Sequence, residues 1–245
     1  MEDIIKKISN AISLILLFAL SAVFYFSAKG FVVENGQIVL KEQVVHAEEI
    51  KNGIAVVLPK NINVNANTKF AEGAQSAPLT LYEYSSFGCP HCADFHLNIL
   101  PKLEKDYVER GLLRVVFVSF PLDKKSMKGA MLARCMTYDN YHEFVSTLFD
   151  KQRRWFLADD DTQLFKYAAE FGLSYDEAKG CVSNDMVASE IIADRQQGIK
   201  QLKMDGTPAF LISGADGNEV IHGKPSYSDL QQYLDARLRS LNYKR

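Results

Sequence analysis

Cys89, Pro90, His91 and Cys92 place two thiols on either side of a two-residue gap. Such a pair can close into a disulfide and reopen, carrying two electrons in its own sulfur atoms, so the chemistry calls for no cofactor. Position decides whether the pair is reactive. A first cysteine at the start of a helix meets unpaired N–H groups and the positive end of the helix dipole, both of which favour thiolate over thiol. His91 can add a donor or a positive charge beside it. Cys89 is then the nucleophile. Cys92, one turn further along and shielded by the packed helix, is the resolving thiol. Stabilising the Cys89 thiolate makes the oxidised pair a stronger oxidant, so the expected direction is donation of disulfides.

Two other uses of the pair fit less well. A structural zinc ion needs four ligands, and the remaining cysteines, Cys135 and Cys181, are far apart with no second Cys-x-x-Cys, so no metal site is expected. An inert bridge across so short a gap would remove little chain entropy.

The surrounding sequence supplies the helix start. Leu79 to Tyr84 is short, β-prone and alternating, and it stops at Ser85-Ser86-Phe87-Gly88. A helical run follows to about Tyr107, with Pro90 in its first turn, where the missing N–H has no intrahelical partner to lose. Gly111 ends it, and Leu112 to Phe120 reads as a strand buried on both faces. Residues 124 to 202 hold helical runs: Lys124 to Tyr138, Tyr141 to Gln152, Thr162 to Phe171, Tyr175 to Cys181 and Asp185 to Leu202. Pro208 to Ser213 and Glu219 to His222 then bracket a Gly214 to Asn218 turn, and Tyr227 to Leu241 closes with a helix. A βαβ unit (78–123) and a ββα unit (204–245) sharing one sheet make an α/β protein, a thioredoxin fold interrupted by an all-helical insertion (124–203).

Ahead of this lie two other segments. Lys6 and Lys7 precede an uncharged stretch from Ile8 to Ala28, so residues 1–30 read as a signal peptide or a membrane anchor. The lysines favour a cytoplasmic N-terminus, which places the rest beyond the membrane, where disulfides persist. Residues 31–77 read as a spacer or oligomerisation segment, with short apolar runs at Gln37 to Val45 and Ile54 to Leu58 and an alternating Asn61 to Asn67 stretch. Among 245 residues, 47% hydrophobic and 24% charged, the net charge of −2 gives no basic surface for nucleic acid.

Three stretches together resemble the DsbA-like disulfide oxidoreductases: Glu83 to Cys92, Phe120-Pro121-Leu122, and Gly206-Thr207-Pro208-Ala209-Phe210. The resemblance spans residues 78 to 241. It implies a cis bond before Pro208, a Thr207-Pro208 loop that faces the cysteines and binds substrate peptide, and a buried Glu83 suited to managing the proton of Cys92. It also implies a structural disulfide between Cys135 and Cys181. His96 shares a helix face with Cys92, where the best-known oxidases can carry an acid; it is read either as a proton or hydrogen-bond partner of the site or as an ordinary helix histidine. His46, His142 and His222 share no ligand spacing, and Trp155 reads as core or groove lining.

The implied function is oxidation of exported proteins that carry free cysteines, with reoxidation by a quinone-linked membrane partner. An oligomeric disulfide isomerase, with 31–77 as its assembly arm, is the nearest rival. A non-catalytic thioredoxin-fold chaperone or metal carrier is a rival of another class; it predicts an unreactive Cys89.

Overall fold

In the computed structural model the described residues are 31–34, 37–40, 55–58 and 70–243. The targeting segment, the Asn61 to Asn67 stretch and His46 lie outside them. The first unit contains an antiparallel pair, β1 (Phe31–Glu34) and β2 (Gln37–Leu40), registered Phe31 to Leu40. The second unit, residues 47–245, carries the chemistry.

Its sheet contains β3 (Ala55–Leu58), β4 (Leu79–Ser85), β5 (Leu113–Ser119), β6 (Ala209–Gly214) and β7 (Gly217–His222), in the order β3-β7-β6-β4-β5. β4 runs parallel to β5 and antiparallel to β6. The stretch read as a spacer thus contributes an edge strand: Ala55 pairs with Ile221 and Leu58 with Asn218. Four residues are too few for periodicity to distinguish a strand from an apolar run in a loop. The β6–β7 turn is also tighter than the sequence indicated, because Gly214 pairs with Gly217 and leaves only Ala215 and Asp216 between them. Gly217 has φ 140°, a conformation glycine reaches without Cβ conflict.

Between β4 and β5 the helical run is broken. α1 (Pro90–Asn98) ends at Ile99, α2 (Leu100–Leu103) restarts, and a π-helical turn spans Glu104–Val108. Pro101 explains the break, since it has no N–H to bond back along α1. On this face of the sheet Leu79 and Leu81 pack with Phe95, Leu100 and Leu103, and with Leu230, Leu234 and Leu238 of α9 (Tyr227–Ser240). Alternation puts Glu83 and Ser85 of β4 on the same side as α1. Tyr84, Val116, Val118 and Leu211 fill the opposite face with Leu202 and Met204.

The insertion comprises α3 (Lys124–Cys135), α4 (Tyr138–Asp150), α5 (Gln152–Phe156), α6 (Thr162–Glu170), α7 (Tyr175–Val182) and α8 (Asp185–Leu202). α5 was not expected from the sequence. The insertion's core, with Phe144, Leu148, Phe149 and Trp155, continues without a break into Phe87, Cys89, Cys92 and Ala93. The helical block and the cysteine loop are therefore packed as one body.

Candidate active site

Cys89 is the N-cap of α1, in extended conformation, and its sulfur accepts the Cys92 backbone N–H at 3.4 Å. Pro90 occupies the first turn, as its fixed φ favours. Across the site the Thr207–Pro208 bond is cis, and the Cys89 thiol donates to the Thr207 carbonyl at 3.4 Å. The site therefore joins the start of α1 to the loop entering β6, as the sequence resemblance implied.

These neighbours pull the two thiols apart in acidity. The Cys92 thiol hydrogen bond is the largest influence on Cys89; with the Thr207 hydroxyl and the N–H groups of Cys92 and His91, it outweighs burial and brings the Cys89 pKa down from 9.0 to about 5. Thr207 Oγ1 is buried with no other hydrogen-bond partner, so it is available for this task. Cys92 moves the other way. Burial is the main cause and the Cys89 sulfur adds to it, so Cys92 stays protonated far above the ordinary thiol range. His91 contributes here as a donor, through its backbone N–H. Access is also narrow, with Cys89 8% exposed and Cys92 fully buried.

The insertion holds the cysteine loop in place. Buried Gln152, at the start of α5, donates to the Phe87 and Cys89 carbonyls at 2.7 and 3.0 Å. Gly88 N–H donates to Ser126 Oγ at 2.9 Å, and Ser126 Oγ donates to Asp123 Oδ2, the residue that caps α3. A Cβ on Gly88 would meet the Phe156 ring at 2.5 Å. Sequence reasoning missed Gln152 and Ser126, because nothing local marks a residue whose partner lies 65 or 38 positions away. Trp155 is core, its indole N–H on the Leu148 carbonyl at 2.8 Å.

Glu83 is fully buried beneath α1, with neither carboxyl oxygen in a hydrogen bond. His96 Nδ1 lies 3.9 Å from Glu83 Oε2, and its Nε2 is 3.1 Å from Ser146 Oγ. Cys92 is met instead by Ser85 and Ser86, so Ser85 stands between Cys92 and Glu83 along the strand. Cys135 and Cys181 are bonded to each other, joining α3 to α7, and cannot complete a zinc site with Cys89 and Cys92. His222 lies 3.8 Å from Asp205.

A strand, a cysteine pair capping the next helix, a parallel strand and a cis-proline loop facing the sulfurs define a thioredoxin-class redox protein. The chain belongs to the thioredoxin family, whose model matches residues 65–236. It is DsbA-like: the structure superposes on α-DsbA1 of Wolbachia pipientis with TM-score 0.62 and 26% identity, covering 73% of this chain and 92% of that one. BdbD of Bacillus subtilis shares the fold, with TM-score 0.61 and 21% identity over 75% of this chain and 98% of that one. A Rickettsia typhi protein, named as a candidate protein-disulfide oxidoreductase, is 29% identical over 150 residues. That match covers 60% of this chain and 56% of the relative, so the chain spans about half the length of the rickettsial proteins it matches.

Proposed function

We propose that this chain is a thiol-disulfide oxidoreductase that introduces disulfides into exported proteins through Cys89 and Cys92. One observation carries the reading: Cys89 caps α1 with hydrogen bonds that stabilise its thiolate, while Cys92, buried behind it, is kept protonated chiefly by that burial. A substrate thiolate attacks the Cys89 sulfur of the oxidised pair, the Cys89–Cys92 bond breaks, and Cys92 leaves as a thiolate that takes up a proton. A second substrate thiolate attacks the substrate sulfur of the mixed disulfide, and Cys89 leaves as a thiolate. The substrate loses two electrons and the pair gains them. Thr207 and Pro208 line the entry to Cys89 and bind the substrate peptide beside it, while Glu83 manages the proton of Cys92.

The name of the Rickettsia typhi relative and the likeness to α-DsbA1 support this reading. So does the apolar stretch after Lys6 and Lys7, which argues for an extracytoplasmic location, soluble after cleavage or anchored, with a quinone-linked membrane protein as reoxidant. Among the described residues no helix is long and apolar enough to cross a membrane. The test is stoichiometric: oxidised protein mixed with a reduced two-cysteine peptide yields one peptide disulfide per Cys89–Cys92 pair. A protein that instead rearranges a scrambled disulfide substrate faster than it oxidises a reduced one, and runs as an oligomer in solution, is the isomerase; no exchange at all leaves the binding module.

A further inference from the structure

Under α1 a cavity of about 40 Å³ is lined by Glu83, His96, Ser146, Glu72, Glu104 and His142 among apolar neighbours. Four buried polar atoms on its walls lack a hydrogen bond: both oxygens of Glu83, His96 Nδ1 and His142 Nε2. Buried carboxylate and imidazole atoms without partners are costly, and a polar cavity above roughly 15 Å³ admits water that can satisfy them. The far wall is a second acidic cluster. His142 Nδ1 meets Glu72 Oε1 at 2.6 Å, and the Glu72 and Glu104 carboxyls are within hydrogen-bonding reach of each other. Glu72 and His142 are partly exposed, with side-chain exposures of 27% and 35%, so this end reaches solvent.

We propose that the Glu72–Glu104 carboxyl pair is the solvent-side terminus of a proton relay that runs through cavity water and Glu83, with His96 beside it, and across the Ser85 hydroxyl to Cys92. The proposal rests on the oxidoreductase reading and extends it. When Cys92 leaves as a thiolate, one proton passes from the Glu83 side to its sulfur, Glu83 is refilled through the cavity from Glu104, and Glu104 is refilled from bulk water. When the pair is reoxidised the proton runs outward, so that Cys92 can attack as a thiolate.

Three kinds of group tune the terminus. Burial first, then the Glu72 carboxyl, then Glu109 and Glu83 raise Glu104 to about 7, so it exchanges its proton near neutrality. Burial would raise Glu72 too, but the hydrogen bond and charge of His142, together with the Glu104 hydrogen bond and His96, hold it low and ionised. Tyr141, also on the wall, is pushed up by burial and stays neutral. Glu104 opens the π-helical turn, a local irregularity often found at functional positions.

The test separates the two sulfur steps in the full chain, with oxidised glutathione as the probe. Cys92→Ser protein stops at the Cys89–glutathione mixed disulfide and reports attack by Cys89 alone. Protein with both cysteines goes on to the Cys89–Cys92 disulfide, which requires Cys92 to lose its proton. Glu104→Gln should leave the first step unchanged and slow the second by about a hundredfold, the lower end of the range for a positioned acid–base group. The second step should also lose its inflection near pH 7. Glu104→Asp should restore both. Glu72→Gln, which removes the neighbouring charge, should shift the inflection to lower pH. A second step with unchanged rate and pH profile in Glu104→Gln overturns the relay while leaving the oxidoreductase reading intact. Failure of the parent protein to complete either step overturns both.

Discussion

If the Cys92 thiol is the main support of the Cys89 thiolate, replacing it should be visible in the titration of Cys89 alone. Cys92→Ala removes the donor but keeps the residue-92 backbone N–H at the Cys89 sulfur. A hydrogen bond to a charged group contributes about 1.5–3 kcal/mol, and each pH unit corresponds to about 1.4 kcal/mol, so the Cys89 midpoint should climb by about one to two units. From about 5 in the parent protein it moves to about 6–7. Cys92→Ser, which keeps an O–H donor, should move it less. Ultraviolet thiolate absorbance against pH reads this directly. An equal midpoint in parent and Cys92→Ala refutes the assignment, and a parent transition near the ordinary thiol value refutes the activated Cys89 itself. The same acidity has a consequence for stability. Because the folded pKa lies below the unfolded one, the contribution to reduced protein is complete above the ordinary thiol pKa of 9.0, shrinks as pH falls and vanishes below about 5. At pH 7 about two units remain, roughly 3 kcal/mol, which the oxidised form lacks. The stability gap between reduced and oxidised protein should therefore narrow by about that amount between pH 7 and pH 5.

The loop clamp and the second disulfide make further predictions. Gln152→Ala removes the donor from the Phe87 carbonyl and leaves the Cys89 carbonyl with the Ala93 N–H alone, and should cost about 1–3 kcal/mol in denaturant unfolding; an unchanged midpoint denies the clamp. Gly88→Ala forces a Cβ against Phe156 and Ser126 Oγ and should destabilise by about 1–3 kcal/mol while slowing exchange at Cys89, with full stability and rate as the contrary outcome. Removing the Cys135–Cys181 bridge, whose sequence separation is 46, should lower stability by up to about 4 kcal/mol on chain-entropy grounds. The Cys89 titration should not move, and a shifted midpoint would show that the bridge tunes the redox site.

What was legible in the sequence was local. The strand before Gly88, the Cys-Pro-His-Cys helix start and the helix from Asp185 to Leu202 are set by patterning and capping over a few residues, and the structure has them there. Pro101 also marked the helix break, since a proline inside a helical run removes a backbone bond, but the apolar periodicity through Tyr107 concealed it. The cis bond at Pro208 was legible only through family resemblance, because X-Pro bonds favour trans on local grounds. The remainder was non-local. β3 depends on β7 for its pairing, Gln152 on a loop 65 positions earlier, and the Glu72, Glu104 and His142 cluster on three separate segments meeting at one cavity. No spacing in the chain encodes such a meeting.

The central claim is a division of labour, with Cys89 attacked or attacking and Cys92 resolving. Mass spectrometry of trapped adducts tests it most directly, using reduced full chain and a reactive peptide disulfide. Cys92→Ser should accumulate one mixed disulfide, mapped to Cys89, because no thiol remains to resolve it; Cys89→Ser should accumulate none, since Cys92 is buried and protonated. Adducts forming equally well on Cys92 in the Cys89→Ser protein would contradict the account.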